Sequence, residues 1–299
     1  MSAIARKELR KRTATSYAFV LPYFLCFCVF TVLPVLISIF FSFTSFNVLE
    51  PPKFTGLENY IRMFFKDSIF LIALKNTLLI AIITGPVGYL LSLLMAWFIN
   101  ELTPKVRAFV TLIFYAPTIS GNVYMIWSLL FSGDSYGYIN STLIRLGVIQ
   151  APIQFLKNTA YMMPIVIGVS LWMSLGAGFL SFIAGFQGVD MSYYEAAAMD
   201  GIKNRWQELW FVTLPMMRNQ MMFSAVMSIT SAFNVGSVVT GLFGFPSTDY
   251  AVHTIMNHLE DYGGTRFEMG YASAIATLLF IIMVGINLVV RKLVAKVGS

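Results

Sequence analysis

Six stretches of this 299-residue chain contain no Lys, Arg, Asp or Glu: they lie within Tyr17 to Leu49, Asn76 to Asn100, Ala108 to Gly133, Asn158 to Val189, Asn219 to Thr248 and Met269 to Val290. Each supplies the roughly 20 mostly apolar residues that a helix needs to cross about 30 Å of hydrocarbon. The rest of the composition agrees, with 58 % hydrophobic residues, 11 % charged residues and a mean hydropathy of +0.74, whereas a soluble domain carries about a quarter charged residues. The sequence therefore predicts an all-α polytopic membrane protein. A six-span domain fills 17–290, between an N-terminal tail 1–16 and a C-terminal tail 291–299.

Six spans place both termini on one side, and the Lys and Arg distribution selects that side as the cytoplasm. The proposed inner segments hold Arg6, Lys7, Arg10, Lys11, Arg12, Lys105, Arg107, Lys203, Arg205, Arg218, Arg291, Lys292 and Lys296, which is 13 of the 20. The expected location is the plasma (inner) membrane, multi-pass, with the first span kept as an uncleaved anchor. The net charge of +6 then reflects topology and contact with anionic membrane lipid, not nucleic acid, because no basic stripe lies on a soluble face. Cys26 and Cys28 sit two apart on one helix, where they point to different faces; they read as packing residues, with no disulfide or metal site expected.

The outer segments read as small structured connections. The stretch after Pro51 and Pro52, running to Phe70, has the composition of an interfacial helix, and Ile139, Leu143, Ile144 and Leu146 are spaced for a short surface helix. His253 and His258, with Asp249, Glu260 and Asp261, are expected to be solvated loop residues or contacts to a partner. Trp97 and Trp127 stand near span ends, as an aromatic belt would. No outer segment is long enough for a solute-binding domain, so capture outside falls to another chain.

The inner segment between the fourth and fifth spans, 190–215, is the exception among short inner connections. Ser192 followed by Glu195 has the form of a capping box, Ala196 to Ala198 favour helix, and Gly201 can end it. A second short helix is expected over Arg205 to Val212, ahead of Pro215. The pattern Glu195, Ala196, Ala197, Gly201, Val212, Leu214 and Pro215 resembles the cytoplasmic signature of binding-protein-dependent ABC importer permeases. The gap from Gly201 to Val212 is ten residues, one more than the usual nine. Phe54-Thr55-Gly56-Leu57-Glu58-Asn59-Tyr60 and Asn76-Thr77 resemble the carbohydrate branch of that family, which includes the large maltose-transporter permease and other polysaccharide and oligosaccharide permeases.

The resemblance implies a permease subunit of an ATP-driven importer, moving a sugar or oligosaccharide delivered by an extracytoplasmic binding protein. It implies a second permease subunit and two ATPase subunits, with Glu195, Ala196, Ala197, Asp200, Gly201, Leu214 and Pro215 coupling to the ATPase. No phosphate-binding G-x-x-x-x-G-K-[ST] loop occurs in the chain. ATP and Mg are then bound by the partner ATPase, and this chain is expected to have no cofactor and no enzymatic site of its own.

Every Asp and Glu lies outside the spans, which argues against ion coupling and for an uncharged solute. Polar and helix-bending residues within the spans mark the candidate path: Tyr115, Pro117, Thr118, Gly121 and Asn122; Ser170, Trp172 and Ser174; Phe233, Asn234 and Ser237. The resemblance adds Met173 to this set, while Ala177 replaces an aromatic of the maltose permease. Two other readings stay open: an ion-coupled secondary transporter, which needs an intramembrane ion site, and an ABC importer of a non-carbohydrate solute.

Overall fold

The computed structural model describes residues 3–121 and 123–294. Asn122 and Lys296 lie outside the described residues, as do the side chains of Arg6, Lys7, Arg10, Lys11 and Arg12. The described regular structure is helical. In chain order it comprises α1 (Ala3–Phe27), α2 (Leu33–Phe41), α3 (Glu58–Phe65), α4 (Ser68–Asn100), α5 (Pro104–Ile119), α6 (Val123–Leu130), α7 (Tyr138–Arg145) and α8 (Thr159–Trp172). There follow α9 (Ala177–Gly188), α10 (Met191–Met199), α11 (Arg205–Glu208), α12 (Leu214–Met216), α13 (Arg218–Phe233), α14 (Gly236–Phe243), α15 (Ile255–Glu260) and α16 (Met269–Val294). Four runs are long and apolar enough to cross a membrane: Thr15–Phe41, Ser68–Asn100, Thr159–Gly188 and Met269–Val294. The bent pairs α5 with α6 and α13 with α14 bring the number to six.

Two π-helical turns have a common origin in the sequence. Cys28–Val32 precedes Leu33-Pro34, and Leu209–Thr213 precedes Leu214-Pro215. A proline ring crowds the carbonyl four residues back, and the wider turn makes room: Leu33 N–H donates to Cys28 O, and Leu214 N–H to Leu209 O, each five residues back.

The chain divides into two compact units. One comprises Met1–Met63 with Tyr262–Leu278. Within it Gly56 takes φ +63°, turning the chain so that Asn59 donates to the Ser42 and Thr44 carbonyls at 2.9 and 2.8 Å, and Tyr60 to the Ser42 hydroxyl at 2.8 Å. These bonds give the Phe54–Tyr60 motif a structural role: it stitches α3 to the end of α2. Arg62 lies over the Tyr271 ring at 4.3 Å and the Tyr262 ring at 5.2 Å, and pairs with Glu268. Gly270 N–H donates to Phe46 O at 2.8 Å, and a β-carbon there would run into Thr44 O. The apolar run Thr15–Phe41 buries none of its most apolar window, so lipid or another chain covers it.

The second unit, Phe64–Asp261 with Leu279–Ser299, holds the main cores. Asp67 caps α4 by accepting from Phe70 N–H at 2.9 Å. The interfacial helix thus stops at Phe65, not Phe70, and the second span begins eight residues before Asn76, because the Asp67 cap starts it. Asn76 donates to His253 O at 3.0 Å, and Thr77 accepts from Ile255 N–H at 2.9 Å; Asn76-Thr77 therefore tie α4 to the segment before α15. The expected surface helix is α7, whose Ile139 and Leu143 pack on an aromatic and aliphatic core with Phe155, Met162 and Val239.

The histidines overturn their expected placement. His253 and His258 are each only 2 % exposed. They share a ring hydrogen bond of 3.2 Å, and His258 Nε2 meets Asp67 Oδ2 at 3.0 Å. Their five-residue spacing lets the turn before α15 fold one ring onto the other, so they form a buried staple, not a solvated pair. Among the described residues no group of three or more His, Cys, Asp or Glu is arranged to hold a metal.

Burial, and then the neighbouring His258, push the His253 imidazole down to about 4, against the opposing pull of Asp261 and Asp67. A folded value below the unfolded 6.5 means that stability is fully present above about 6.5 and is lost as pH falls toward 4. The maximum loss is roughly 3 kcal/mol. Thermal melts of the purified protein should drop in midpoint between pH 7 and pH 4, and His253→Gln should flatten that drop; an unchanged slope in the variant would contradict the staple.

Candidate functional site

Three spans break, and the breaks meet. α5 contains a buried Pro117 and ends at Ile119; α8 gives way to α9 across Met173, Ser174, Leu175 and Gly176; α13 gives way to α14 at Asn234 and Val235, with a 41° bend. Around them lies a cavity of about 210 Å³ lined by all three breaks and by Thr84 and Gly88 of α4. Helix breaks free backbone groups, which within a membrane require internal partners or a cavity. Thr118 donates to Leu175 O at 3.2 Å, Ser92 to Ser174 O at 3.2 Å, Ser174 to Leu171 O at 2.6 Å, and Ser224 to Gly178 O at 2.7 Å.

Of the residues expected from sequence, Thr118, Ser170, Met173, Ser174, Asn234 and Ser237 line the cavity. Two do not. Phe233 is 3 % exposed and packs with Ala81, Ile229 and Ala232 in an apolar cluster, because the helix turns it away before the bend at Asn234. Tyr115 is half-buried and outside the lining, a turn of helix below Thr118. Asn234 reaches the cavity, which provides for its amide. Ser170 Oγ is buried with no hydrogen-bond partner among the described residues, and Ser237 accepts from Tyr124 at 3.3 Å.

Sequence reading missed Thr84, Gly88, Ser228 and Ser231. Ser228, Ser231 and Asn234 recur every third residue, a small-polar stripe that helical spacing exposes. Gly88 carried no signal of its own: a β-carbon there would stand 2.9 Å from Ser174 Cβ. Among the described residues no ionisable side chain lines the cavity.

At the opposite end of α9 lies the helix-turn-helix. The cap of α10 is Asp190, not Ser192: its carboxylate accepts from Ser192 N–H at 2.9 Å, which with the Ser192 hydroxyl holds it below the usual carboxylate range. Ser192 is thereby the second helical residue and Glu195 is free to face outward. Gly201 at φ +93° ends the helix as expected, with Ile202 N–H donating to Ala197 O at 3.0 Å. Along α10 only Ala197 is buried, while Glu195, Ala196, Ala198 and Asp200 are exposed.

The second helix is α11, continued by the π turn through Val212. Tyr194 OH and Thr213 Oγ1 are 2.9 Å apart, joining α10 to the π turn. Trp206 meets Trp97 edge-on at 4.6 Å, and Arg205 pairs with Glu101 at 3.3 Å and Glu208 at 2.8 Å. The Trp97 ring thus serves as a clamp between α4 and this loop, which the belt reading did not foresee. Trp127 likewise packs inward, edge-on to Trp172 at 5.3 Å. A cleft of about 680 Å³ opens beside Glu195, Tyr194, Arg107 and Arg205.

One core joins the two places. Leu209, Leu214 and Met217 share a cluster with Phe182 and Phe186 of α9, with Leu93 and Ala96 of α4, and with Leu175 at the α8–α9 break. Leu214 is 2 % exposed and Pro215 half-buried. A displacement of the helix-turn-helix therefore bears on a continuous packed path to the cavity wall. Gly88→Val should press on Ser174, costing about 1–3 kcal/mol of stability. A Gly88→Val protein with wild-type thermal midpoint would contradict the close approach of α4 to the break.

These features can be set beside known proteins. Residues 88–298 match the family described as binding-protein-dependent transport system inner membrane component. The probable ABC transporter permease protein YesP of Bacillus subtilis (strain 168) is 31 % identical over 292 residues, covering 96 % of this chain and 92 % of the relative. The arabinooligosaccharides transport system permease protein AraP of the same organism is 29 % identical over 286 residues, covering 94 % and 89 %. In fold, the chain resembles a subunit of a bacterial ABC transporter involved in import of the acidic polysaccharide alginate, with a TM-score of 0.76 at 24 % identity over 99 % of this chain and 100 % of the other. The chain belongs to the binding-protein-dependent transport system inner membrane component family and is a multi-pass permease subunit of an ABC importer.

Proposed function

We propose that this permease carries a neutral sugar or oligosaccharide through the cavity where its three broken spans meet. The observation that carries this reading is the polar part of the lining: among the described residues its polar side chains are hydroxyls and one amide, set among Met, Val, Ala and Gly, with no ionisable group. Such groups recognise a hydroxyl-rich, uncharged solute by hydrogen bonds. The arabinooligosaccharide relative supports the same class. The alginate transporter's solute is acidic, and the uncharged cavity here offers it no cationic partner.

In this proposal a second permease subunit, two ATPase subunits and an extracytoplasmic binding protein complete the importer. ATP and Mg belong to the ATPases, and this chain performs no chemistry on the solute. Both termini and the tails 1–16 and 291–299 lie on the cytoplasmic side, in line with the Lys and Arg bias. Of the expected coupling residues, Glu195, Ala196, Asp200 and Gly201 form the coupling surface, supported by the exposure of nearly all of α10, while Ala197, Leu214 and Pro215 anchor it to the core. ATP-driven closure of the ATPases would move α10 and, through Leu214, Phe182 and Leu175, the cavity wall at Ser174 and Gly176.

The test uses the whole assembly in proteoliposomes. Ala196→Asp, at an exposed position of α10, should leave ATP hydrolysis measurable but remove its stimulation by solute-loaded binding protein, and reduce uptake about tenfold or more; normal stimulated hydrolysis and uptake would overturn the coupling role. For the solute class, neutral oligosaccharides should stimulate hydrolysis and uronic-acid oligomers should not. Stimulation by the acidic series alone would overturn the sugar assignment and leave the coupling assignment standing.

A further inference from the structure

A second cleft, of about 490 Å³, runs between α4, α13 and α16. Its walls are carbon, from Leu78, Ile82, Ile229 and Ile286 among others, and its polar atoms are confined to Ser228 and the Tyr89 hydroxyl. Ser228 and Ala232 also line the polar cavity, so the two spaces share a thin wall of small residues. The cleft is no part of the solute path: a hydroxyl-rich solute would find almost nothing to bond there.

Three observations identify what fits. Along α4 the lining runs from Leu78 to Tyr89, about 16 Å at 1.5 Å per residue, which matches one leaflet of a hydrocarbon layer roughly 30 Å thick. The lining residues furthest along α16 are Leu293 and Val294, beside Arg291 and Lys292 in the last turn. Both cations are exposed and have no carboxylate partner among the described residues. The Tyr89 hydroxyl is buried and unpartnered among the described residues, a donor whose isolation costs stability unless an acceptor arrives.

We propose that this groove holds one acyl chain of an anionic phospholipid from the leaflet at the α16 C-terminus. Arg291 and Lys292 attract its headgroup phosphate, and Tyr89 donates to an ester oxygen. An apolar chain fills the groove, the acidic headgroup answers the two cations, and the ester supplies the missing acceptor. A helix of a neighbouring subunit would fill the groove without using the cations. Because the groove shares Ser228 and Ala232 with the cavity, the bound chain also buttresses the cavity wall.

The test is photo-crosslinking of the full assembly in nanodiscs, with phosphatidylglycerol or phosphatidylcholine carrying the same diazirine-tagged acyl chain. Phosphatidylglycerol should label peptides of α4, α13 and α16 about thirtyfold more than phosphatidylcholine, the order expected for two surface cations at about 1 kcal/mol each. Arg291→Gln with Lys292→Gln should erase that preference, and Ile82→Trp, at an exposed rim position, should abolish labelling by both lipids. Melting and subunit co-elution report whether each variant folds; should Ile82→Trp fail to fold, Tyr89→Phe serves in its place and should lower labelling. Equal labelling by the two lipids in the wild type, labelling that survives the folded groove variant, or cross-links from the groove into a neighbouring subunit's helix would each overturn the proposal.

Discussion

A polypeptide crossing hydrocarbon has no water to satisfy its backbone, so every place where a helix stops must be given partners by the protein. The second unit of this chain obeys that constraint by gathering its breaks. The α5 end, the α8–α9 junction and the α13–α14 bend meet around one cavity, where Thr118, Ser92, Ser174 and Ser224 donate to carbonyls in and beside the breaks. Breaks scattered over three helices would each need separate compensation. Gathered, they create a polar pocket that hydrogen-bonding groups can line without any buried charge.

The same economy links the pocket to the helix-turn-helix. Leu175 at one break and Leu214 behind the π turn belong to a single close-packed core, and close-packed interiors transmit displacement. The clamp between Trp97 and Trp206 and the Arg205 pairing with Glu101 hold α11 against the end of α4. An exposed α10 above that clamp is suited to being moved by another chain, with only Ala197 committed to the interior.

Much of this was legible in the sequence, for identifiable reasons. Charge-free runs revealed the spans because a bilayer excludes charge over a fixed length. The Glu195–Pro215 pattern marked the helix-turn-helix because alanines, a positive-φ glycine and a proline each force local geometry. Thr118, Ser170, Ser174, Asn234 and Ser237 were legible as candidates for the cavity lining because polar groups inside a span need a reason to be there. What escaped depends on contacts between distant segments. Gly88 matters only because Ser174 comes against it, and Phe233 and Asn234, adjacent in sequence, part company only at the bend. His253 and His258 read as solvated because nothing local announces that Asp67, nearly two hundred residues earlier, lies in reach. Asp190 rather than Ser192 is the cap because the helix starts at Met191, directly after Asp190, whose carboxylate also meets the positive end of the helix dipole.

The central claim is that the gathered breaks form a solute path driven from the α10 face. Uptake of a labelled neutral oligosaccharide into proteoliposomes holding the complete assembly, with loaded binding protein on the face opposite α10, tests it most directly. The account expects uptake only when ATP is present on the α10 face, and no uptake when an ion or proton gradient is imposed without ATP. Gradient-driven uptake in the absence of ATP would contradict it.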